Sequence, residues 1–158
     1  MAASSGKANA QDYLRQLGAS DILSREEISA ESARVLESER WAGSIDTVGG
    51  ATLAYLMRTT KKEGVIAAIG VSGGAALRTT VFPLILRGIK VLGIDMPSTP
   101  LQMRRELWEE VIGEATLLSL VDAIVSEVTL EDIPRVTEAM LDGQTRGRIL
   151  VRLSAQCV

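Results

Sequence analysis

Three short stretches carry residues with chemistry to offer. Ser5-Gly6-Lys7 sets a hydroxyl, a side-chain-free backbone and an ammonium in consecutive positions. Placed between a strand end and a helix start, those groups and their backbone amides suit a phosphate. The same residues also read as a polar turn with a solvated lysine. Asp46-Thr47-Val48-Gly49 and Ile69-Gly70-Val71-Ser72 each close an apolar run with a glycine, which lets a backbone approach a ligand closely. The alternative is that Asp46 caps the helix that follows and Gly49 merely turns the chain. Glycines ending two neighbouring strands would line one edge of a parallel sheet, where open α/β sheets bind their ligands. In a dinucleotide fold, the end of the second strand meets the adenosine ribose. A basic residue there favours a 2′-phosphate and an acidic one a free 2′-hydroxyl. Lys7, with no acid beside it, therefore points to NADP over NAD.

What the chain lacks is equally informative. Its 158 residues include no histidine and one cysteine, Cys157. Histidine acid–base catalysis, a Ser-His triad and histidine metal ligands are excluded within it, as are an internal disulfide and a cysteine-cluster zinc site. Cys157 reads as an incidental tail thiol. No nucleophile–base pair can be assembled, since the usual base is absent. Arg104, Arg105, Glu109 and Glu110 read as the solvated face of a helix, and Tyr13, Tyr55, Trp41 and Trp108 as packing residues.

Stepping outward from these stretches, the chain must supply strands to carry them. Apolar residues make up 46% and charged ones 23%, enough for one domain with a real core, while 3% aromatics make that core aliphatic. A net charge of −3 argues against nucleic acid, which takes a basic face. No run approaches the ~18 apolar residues of a membrane span. The start lacks the regions of a signal peptide, and a cytoplasmic location follows by default.

Residues 1–5 read as the end of a strand, followed by a helix that Asn9 caps and Gly18 ends. Residues 19–23 read as a short strand, and 24–40 as a polar loop with a solvated helix. Ile45 and Val48 suit a buried strand. Leu53, Ala54, Leu56 and Met57 fall at helical spacing, and Val65–Ile69 is short and continuous enough for a strand buried on both faces. Phe82–Gly88 reads as a short helix with Pro83 in its first turn, and Ile89–Ile94 as a strand. Thr99-Pro100-Leu101-Gln102 has the form of a capping box opening a helix. Residues 123–128 suit a strand. Thr129 or Asp132 caps the next helix, Asp132 fitting Pro134 better, and residues 148–153 alternate into a final strand.

Several strings together carry a family resemblance. Tyr13-Leu-Arg-Gln-Leu-Gly-Ala19, Trp41-Ala-Gly-Ser-Ile-Asp-Thr-Val-Gly49, Thr79-Thr80-Val-Phe-Pro-Leu-Ile-Leu-Arg-Gly88, Val91-Leu-Gly-Ile-Asp95 and Gly147-Arg148-Ile-Leu-Val151 resemble the medium-chain dehydrogenase/reductase superfamily. Within it they are similar to the zinc-independent quinone oxidoreductase branch, and most of all to the acrylyl-coenzyme A reductase group. The resemblance implies NADPH as hydride donor, no zinc, and an α,β-unsaturated acyl thioester or related enone or quinone as acceptor. By carry-over, Ser5, Gly6 and Lys7 would hold the adenosine 2′-phosphate. Thr47, Val48 and Gly49 would line the adenosine side, Gly70 and Val71 would lie near the nicotinamide, and Arg148 would reach the cofactor.

The resemblance also implies an incomplete fold. Family chains are about twice as long, and the Ser-Gly-Lys turn follows a catalytic domain, a strand and a Gly-rich loop. No G-x-G-x-x-G occurs in this sequence. The expected fold class is therefore α/β: an incomplete Rossmann-like domain, doubly wound with a mostly parallel sheet, lacking the first strand and the Gly-rich loop. Residues 1–123 would be the partial NADP-binding domain, and 124–158 a strand-helix-strand that in the family returns to the catalytic domain. In the order 3-2-1-4-5-6 the first strand is central, so the strand at 43–48 would be left as an apolar edge. The expectation is a cofactor-domain fragment of an NADPH-dependent oxidoreductase, inactive alone and with weak or vestigial cofactor affinity. Partners would be a complementing N-terminal half or further copies of the chain. The alternative is a non-catalytic protein that self-associates or works through a partner.

Overall fold

The computed structural model describes residues 1–153, and Cys157 lies outside the described residues. Two compact units divide at Thr99 and Pro100. Every strand pairing described is parallel. Parallel neighbours need a crossover rather than a hairpin, which is why helices alternate with strands along the chain.

In the first unit, β1 (Ala2–Ser5) leads through a 3-10 turn (Ala8–Ala10) and α1 (Gln11–Gln16) to its partner β2 (Asp21–Ser24). The short α2 (Arg25–Ser29) follows, with Ser24 accepting the Glu27 N–H at 3.0 Å as its cap. Then come β3 (Trp41–Asp46), α3 (Gly50–Thr59), β4 (Thr60–Ala68), α4 (Phe82–Arg87) and β5 (Lys90–Gly93), which form a second sheet in the order β3-β4-β5. Gly88 ends α4 in the left-handed region, as its place after the helix predicts. The core lies between α3 and this sheet: Met57, Ile66 and Ile89 are buried, with Leu53, Leu56 and Val91 packed on them. It is aliphatic, as the composition requires.

In the second unit, α5 (Leu101–Gly113), α6 (Ala115–Leu118) and α7 (Val121–Ile124) precede β6 (Val125–Thr129), which pairs with β7 (Arg148–Arg152) across α8 (Ile133–Leu141). Among the described residues no helix is long and apolar enough to cross a membrane.

Three local expectations need correction. The first helical turn starts at Ala8 with no side-chain cap, so Asn9 lies inside it. The capping box at Thr99 does not form: Pro100 is the cap residue, and the Thr99 hydroxyl donates to the Asp95 carbonyl at 3.0 Å. The backbone of Asp95 competes for Thr99 and wins. Further on, Asp132 does stand before α8 with Pro134 in the first turn, while its carboxylate accepts from the N–H and hydroxyl of Thr129 in a box that opens a 3-10 turn (Leu130–Asp132). Ile45, expected in a buried strand, is 73% exposed.

Ile45 alternates with the better covered Ser44 and Asp46 and so projects from the uncovered face of β3, which has a strand on one side only. Across from its other edge, within the first unit, lies β1, and the two sheets enclose a slot of about 620 Å³ lined by Ala2, Ser4, Leu23, Trp41, Ser44 and Ile45 among others. Among the described residues, Trp41 Nε1 and Ser44 Oγ are buried without a hydrogen-bond partner. Buried polar atoms are nearly always satisfied, so these two stand out along β3.

Candidate functional site

The turns singled out in the sequence gather at the C-terminal ends of the first unit's strands. At the end of β1, Ser5 Oγ accepts the Lys7 N–H at 3.0 Å, a hydroxyl-closed turn. Ser5 is the register partner of Ser24 at the end of β2. One residue further on, Gly6 therefore meets Arg25. A Cβ at Gly6 would lie 3.0 Å from Arg25 Nε and 3.1 Å from Cζ, so the guanidinium lies across the glycine.

At the end of β3, Asp46 is 1% exposed. Its Oδ1 accepts the Val48 N–H at 3.1 Å, and its Oδ2 the Gly49 N–H at 3.0 Å. Asp46 thus shapes the turn from inside, which is the capping alternative raised by the sequence. Gly49 has φ +73, and a Cβ there would lie 2.6 Å from the Gly74 carbonyl oxygen. At the end of β4, a Cβ on Gly70 would lie 2.4 Å from the Thr47 carbonyl oxygen. The same loops are laced by Gly73 N–H to Val48 O at 2.7 Å and by the Ser72 hydroxyl to Thr47 O at 3.2 Å. The two strand-end glycines are needed because these loops press backbone on backbone.

The packing leaves two hollows. One, of about 280 Å³, is walled by Ser4, Ser5, Gly6, Arg25, Val48 and Ser72, with Ile28, Thr52 and Gly73 completing it. It brings Ser5, Gly6 and Val48 together, joining the ends of β1, β2 and β3. The other, of about 500 Å³, is more apolar and collects Gly49, Gly70 and Val71 with Leu53, Ile94 and Asp95. Thr47 contributes through its carbonyl and borders the slot between the sheets. Arg148 lies in the second unit at the start of β7, where its guanidinium donates to the Gly147 carbonyl at 3.2 Å.

Arg25 also walls the smaller hollow and was not singled out in the sequence. It sits in a stretch dense with Glu, Arg and Ser, where one arginine looks like any other. The available signal is the parallel pairing of residues 1–5 with 19–23, which sets the residues after each strand side by side. Its neighbour Glu26 is held below the usual carboxylate range, first by a backbone hydrogen bond and then by the Ser24 hydroxyl, with a smaller contribution from Arg25. Glu27 pairs with Arg40 at 2.8 Å.

A comparison with known proteins places these features in context. The model of the zinc-binding dehydrogenase family matches residues 1–116. The acrylyl-CoA reductase AcuI of Ruegeria pomeroyi is 41% identical over 155 residues, 98% of this chain and 47% of the relative. Among solved structures, the yhdH oxidoreductase from Salmonella enterica in complex with NADP matches with a TM-score of 0.86 at 41% identity, covering 97% of this chain and 46% of that one. The Bacillus subtilis protein yhfP with NAD bound matches at 0.84 and 38% identity, covering 96% and 46%. The chain spans about half the length of the curated relatives it matches, their C-terminal half. The zinc in the family's description does not fit this chain's donors. It has no histidine and one cysteine, and among the described residues no three His, Cys, Asp or Glu side chains form a metal-holding group.

Proposed function

The chain belongs to the zinc-binding dehydrogenase family, and from that membership we propose that it is the cofactor-holding part of an NADPH-dependent oxidoreductase. Its acceptor is an α,β-unsaturated acyl thioester of the acryloyl-CoA kind, or a related enone or quinone. NADPH, when bound, supplies the hydride. The chain's own residues hold and orient it: Ser5, Gly6 and Lys7 take the 2′-phosphate, Thr47, Val48 and Gly49 line the adenosine side, and Gly70 and Val71 lie beside the nicotinamide.

The observation that carries this reading is the pair of hollows at the strand C-termini, which gather Ser5, Gly6 and Val48 in one and Gly49, Gly70 and Val71 in the other. That edge is where an open parallel sheet presents ligands. The affinity of residues 1–158 by themselves is weak, because no G-x-G-x-x-G loop is among them to cradle a pyrophosphate. By themselves they reduce no substrate, since they offer no base or acid positioned to protonate the acceptor.

Titrating the purified chain with NADPH while following the emission of Trp41 and Trp108 tests the binding. Saturation at submillimolar to millimolar cofactor is expected, and no response at 5–10 mM, roughly five- to ten-thousandfold above a micromolar site, sinks the reading. Assay of acryloyl-CoA reduction by the same sample is expected to give no turnover. Enzyme-like rates, about 1–1000 per second, would overturn the proposed division of labour.

A second reading is favoured by the slot between β1 and β3. Its open strand edges and the unpartnered Trp41 Nε1 and Ser44 Oγ suit one extended segment added between the sheets. On this reading the completing segment is the counterpart of the relatives' N-terminal half, and the chain functions only with it in place.

A further inference from the structure

We propose that α5 is a self-association surface: two copies of the chain pair through antiparallel α5 helices, the arginine half of each lying on the glutamate half of the other. The inference stands apart from the cofactor reading.

Three observations carry it. Every residue of α5 is exposed, although Leu101, Met103, Leu107, Trp108, Val111 and Ile112 are apolar, Trp108 at 62% and Ile112 at 60%. At helical spacing these six fall on one side of the helix, a stripe covering about half its circumference. A helix of 13 residues is marginal in water alone, and helices in proteins draw their stability from packing such a stripe. The ends of α5 do not make up for it. Pro100 offers no side-chain cap, the first turn holds no acid and the last no base. The charges run Arg104-Arg105 and then Glu109-Glu110, against the macrodipole, which favours acids near the N-terminus and bases near the C-terminus. Nor do they pair along the helix, since a base N-terminal to an acid is the weaker order at this spacing. Among the described residues, these four side chains make no hydrogen bond or ion pair.

The order that is unfavourable for one helix is self-complementary for two. A second α5 laid antiparallel on the stripe and centred on Leu107 sets position 105 level with 109 of the other copy, and 104 level with 110. Arg105 and Glu109 border the stripe on the Ile112 side, so they face each other across the seam at both ends. Arg104 lies within the stripe, where its stem packs on apolar neighbours while its guanidinium reaches Glu110 of the other copy. Glu106, on the far border, is already held by the Gln102 amide at 3.1 Å. A parallel pair would stack arginine on arginine and glutamate on glutamate. The helix is about 20 Å long, and a contact of that length falls short of the roughly 1,200 Å² of a standard interface. The dimer is therefore a weak one, with a Kd of about 10–100 μM, and salt loosens it.

Sedimentation velocity on the full 158-residue chain, between about 1 and 500 μM so as to span that Kd, tests it. The parent is expected to pass from monomer to dimer. Arg104→Glu with Arg105→Glu, and separately Glu109→Arg with Glu110→Arg, should each weaken self-association about 10-fold or more. Mixing the two variants should restore a one-to-one pair, which misfolded chains could not do. The chain with all four charges reversed should self-associate like the parent and yet not mix with it, the mark of an antiparallel seam. A parent that stays monomeric throughout would overturn the proposal, as would reversed variants that dimerise as well as the parent. So would a dimer lost in Ile45→Asp and kept in the α5 variants, which would place the contact at the slot. A monomeric chain whose complex with the N-terminal half of a relative is lost in Trp108→Glu would assign the stripe to that half and overturn it equally.

Discussion

Gly70 and Thr47 meet backbone to backbone. A single Cβ added to Gly70 would lie 2.4 Å from the Thr47 carbonyl oxygen and 3.0 Å from its carbonyl carbon. Neither atom belongs to a side chain that can swing away. Gly70→Ala must therefore push apart the loops after β3 and β4, where Gly73 N–H to Val48 O and Ser72 Oγ to Thr47 O bind them. A destabilisation of about 1–3 kcal/mol is expected, the range of overpacking a tight site. Urea unfolding measures it; a change under 0.5 kcal/mol would show that the loops separate freely.

Asp46 yields a second prediction from the same turn. It is buried, and its two oxygens hold the Val48 and Gly49 amides. Asp46→Ala strands both donors and should cost about 1–3 kcal/mol. Asp46→Asn keeps one acceptor oxygen and should cost less. Thermal melts of the two variants side by side check the order, and equal losses would mean that the charge rather than the acceptor geometry holds the turn.

The legibility of this site in the sequence is uneven for a physical reason. Strand-end glycines are visible because only glycine tolerates what their positions demand, and the sequence shows where they fall. Whether the close neighbour is a ligand or another loop is a tertiary fact. For Gly49 and Gly70 the structure supplies Gly74 and Thr47 as that neighbour. Local rules went wrong where two partners compete for one group. Thr99 had a ready capping pattern but bonded the Asp95 carbonyl instead. Ile45 obeys the strand pattern yet is exposed, because the pattern does not say which face of β3 is covered. Arg25 was invisible because its meaning comes from the register of β1 on β2.

A third prediction concerns pH. Arg58 Nε donates to Glu37 Oε1 at 2.8 Å, both side chains being largely covered. That bond, ahead of smaller contributions from Ser32 and Arg34, holds the Glu37 carboxyl below its usual value. A folded-state pKa below the unfolded one contributes stability that is present above the unfolded value, about 4.3 for glutamate, and lost as pH falls through the folded one. Glu37→Gln should therefore be less stable than the parent by about 0.5–1 kcal/mol at pH 7. The gap should narrow as pH falls below the unfolded value and close as it passes through the lower folded one, once the parent carboxyl is also neutral. A gap that stays constant from pH 7 to 3 would assign the effect to packing.

Arg87 fastens the same corner from α4. Its Nη1 donates to the carbonyls of Arg58 at 2.7 Å and Thr60 at 3.0 Å, and its Nη2 donates to the Glu37 carbonyl. Those carbonyls belong to the α3–β4 junction and the segment before β3. Arg87→Ala removes the donors of all three and should cost about 1.5–3 kcal/mol. Arg87→Lys, whose single nitrogen cannot span the three, should recover less than half of the loss. Hydrogen exchange around residues 58–60 should rise in step, and full recovery by lysine would mean that charge alone suffices.

The last prediction separates folding of the chain from completion of its sheet. Ile45 faces the slot and is 73% exposed, so a charge there costs the isolated chain little: Ile45→Asp should unfold within about 0.5 kcal/mol of the parent, as ordinary surface changes do. If a strand occupies the slot, Ile45 becomes an interior side chain between two strands, and an aspartate there meets the full penalty of a buried charge. Mixing the chain with a polypeptide matching the N-terminal half of the acrylyl-CoA reductase relative should yield a one-to-one complex by light scattering, and Ile45→Asp should abolish it. NADPH reduction of acryloyl-CoA should appear in the first mixture and not in the second. Two outcomes would count against the slot as the joining surface: a complex that forms equally with the variant, or a variant that already fails to fold alone. In the second case, Ile45 must be packed within the isolated chain, contrary to its exposure.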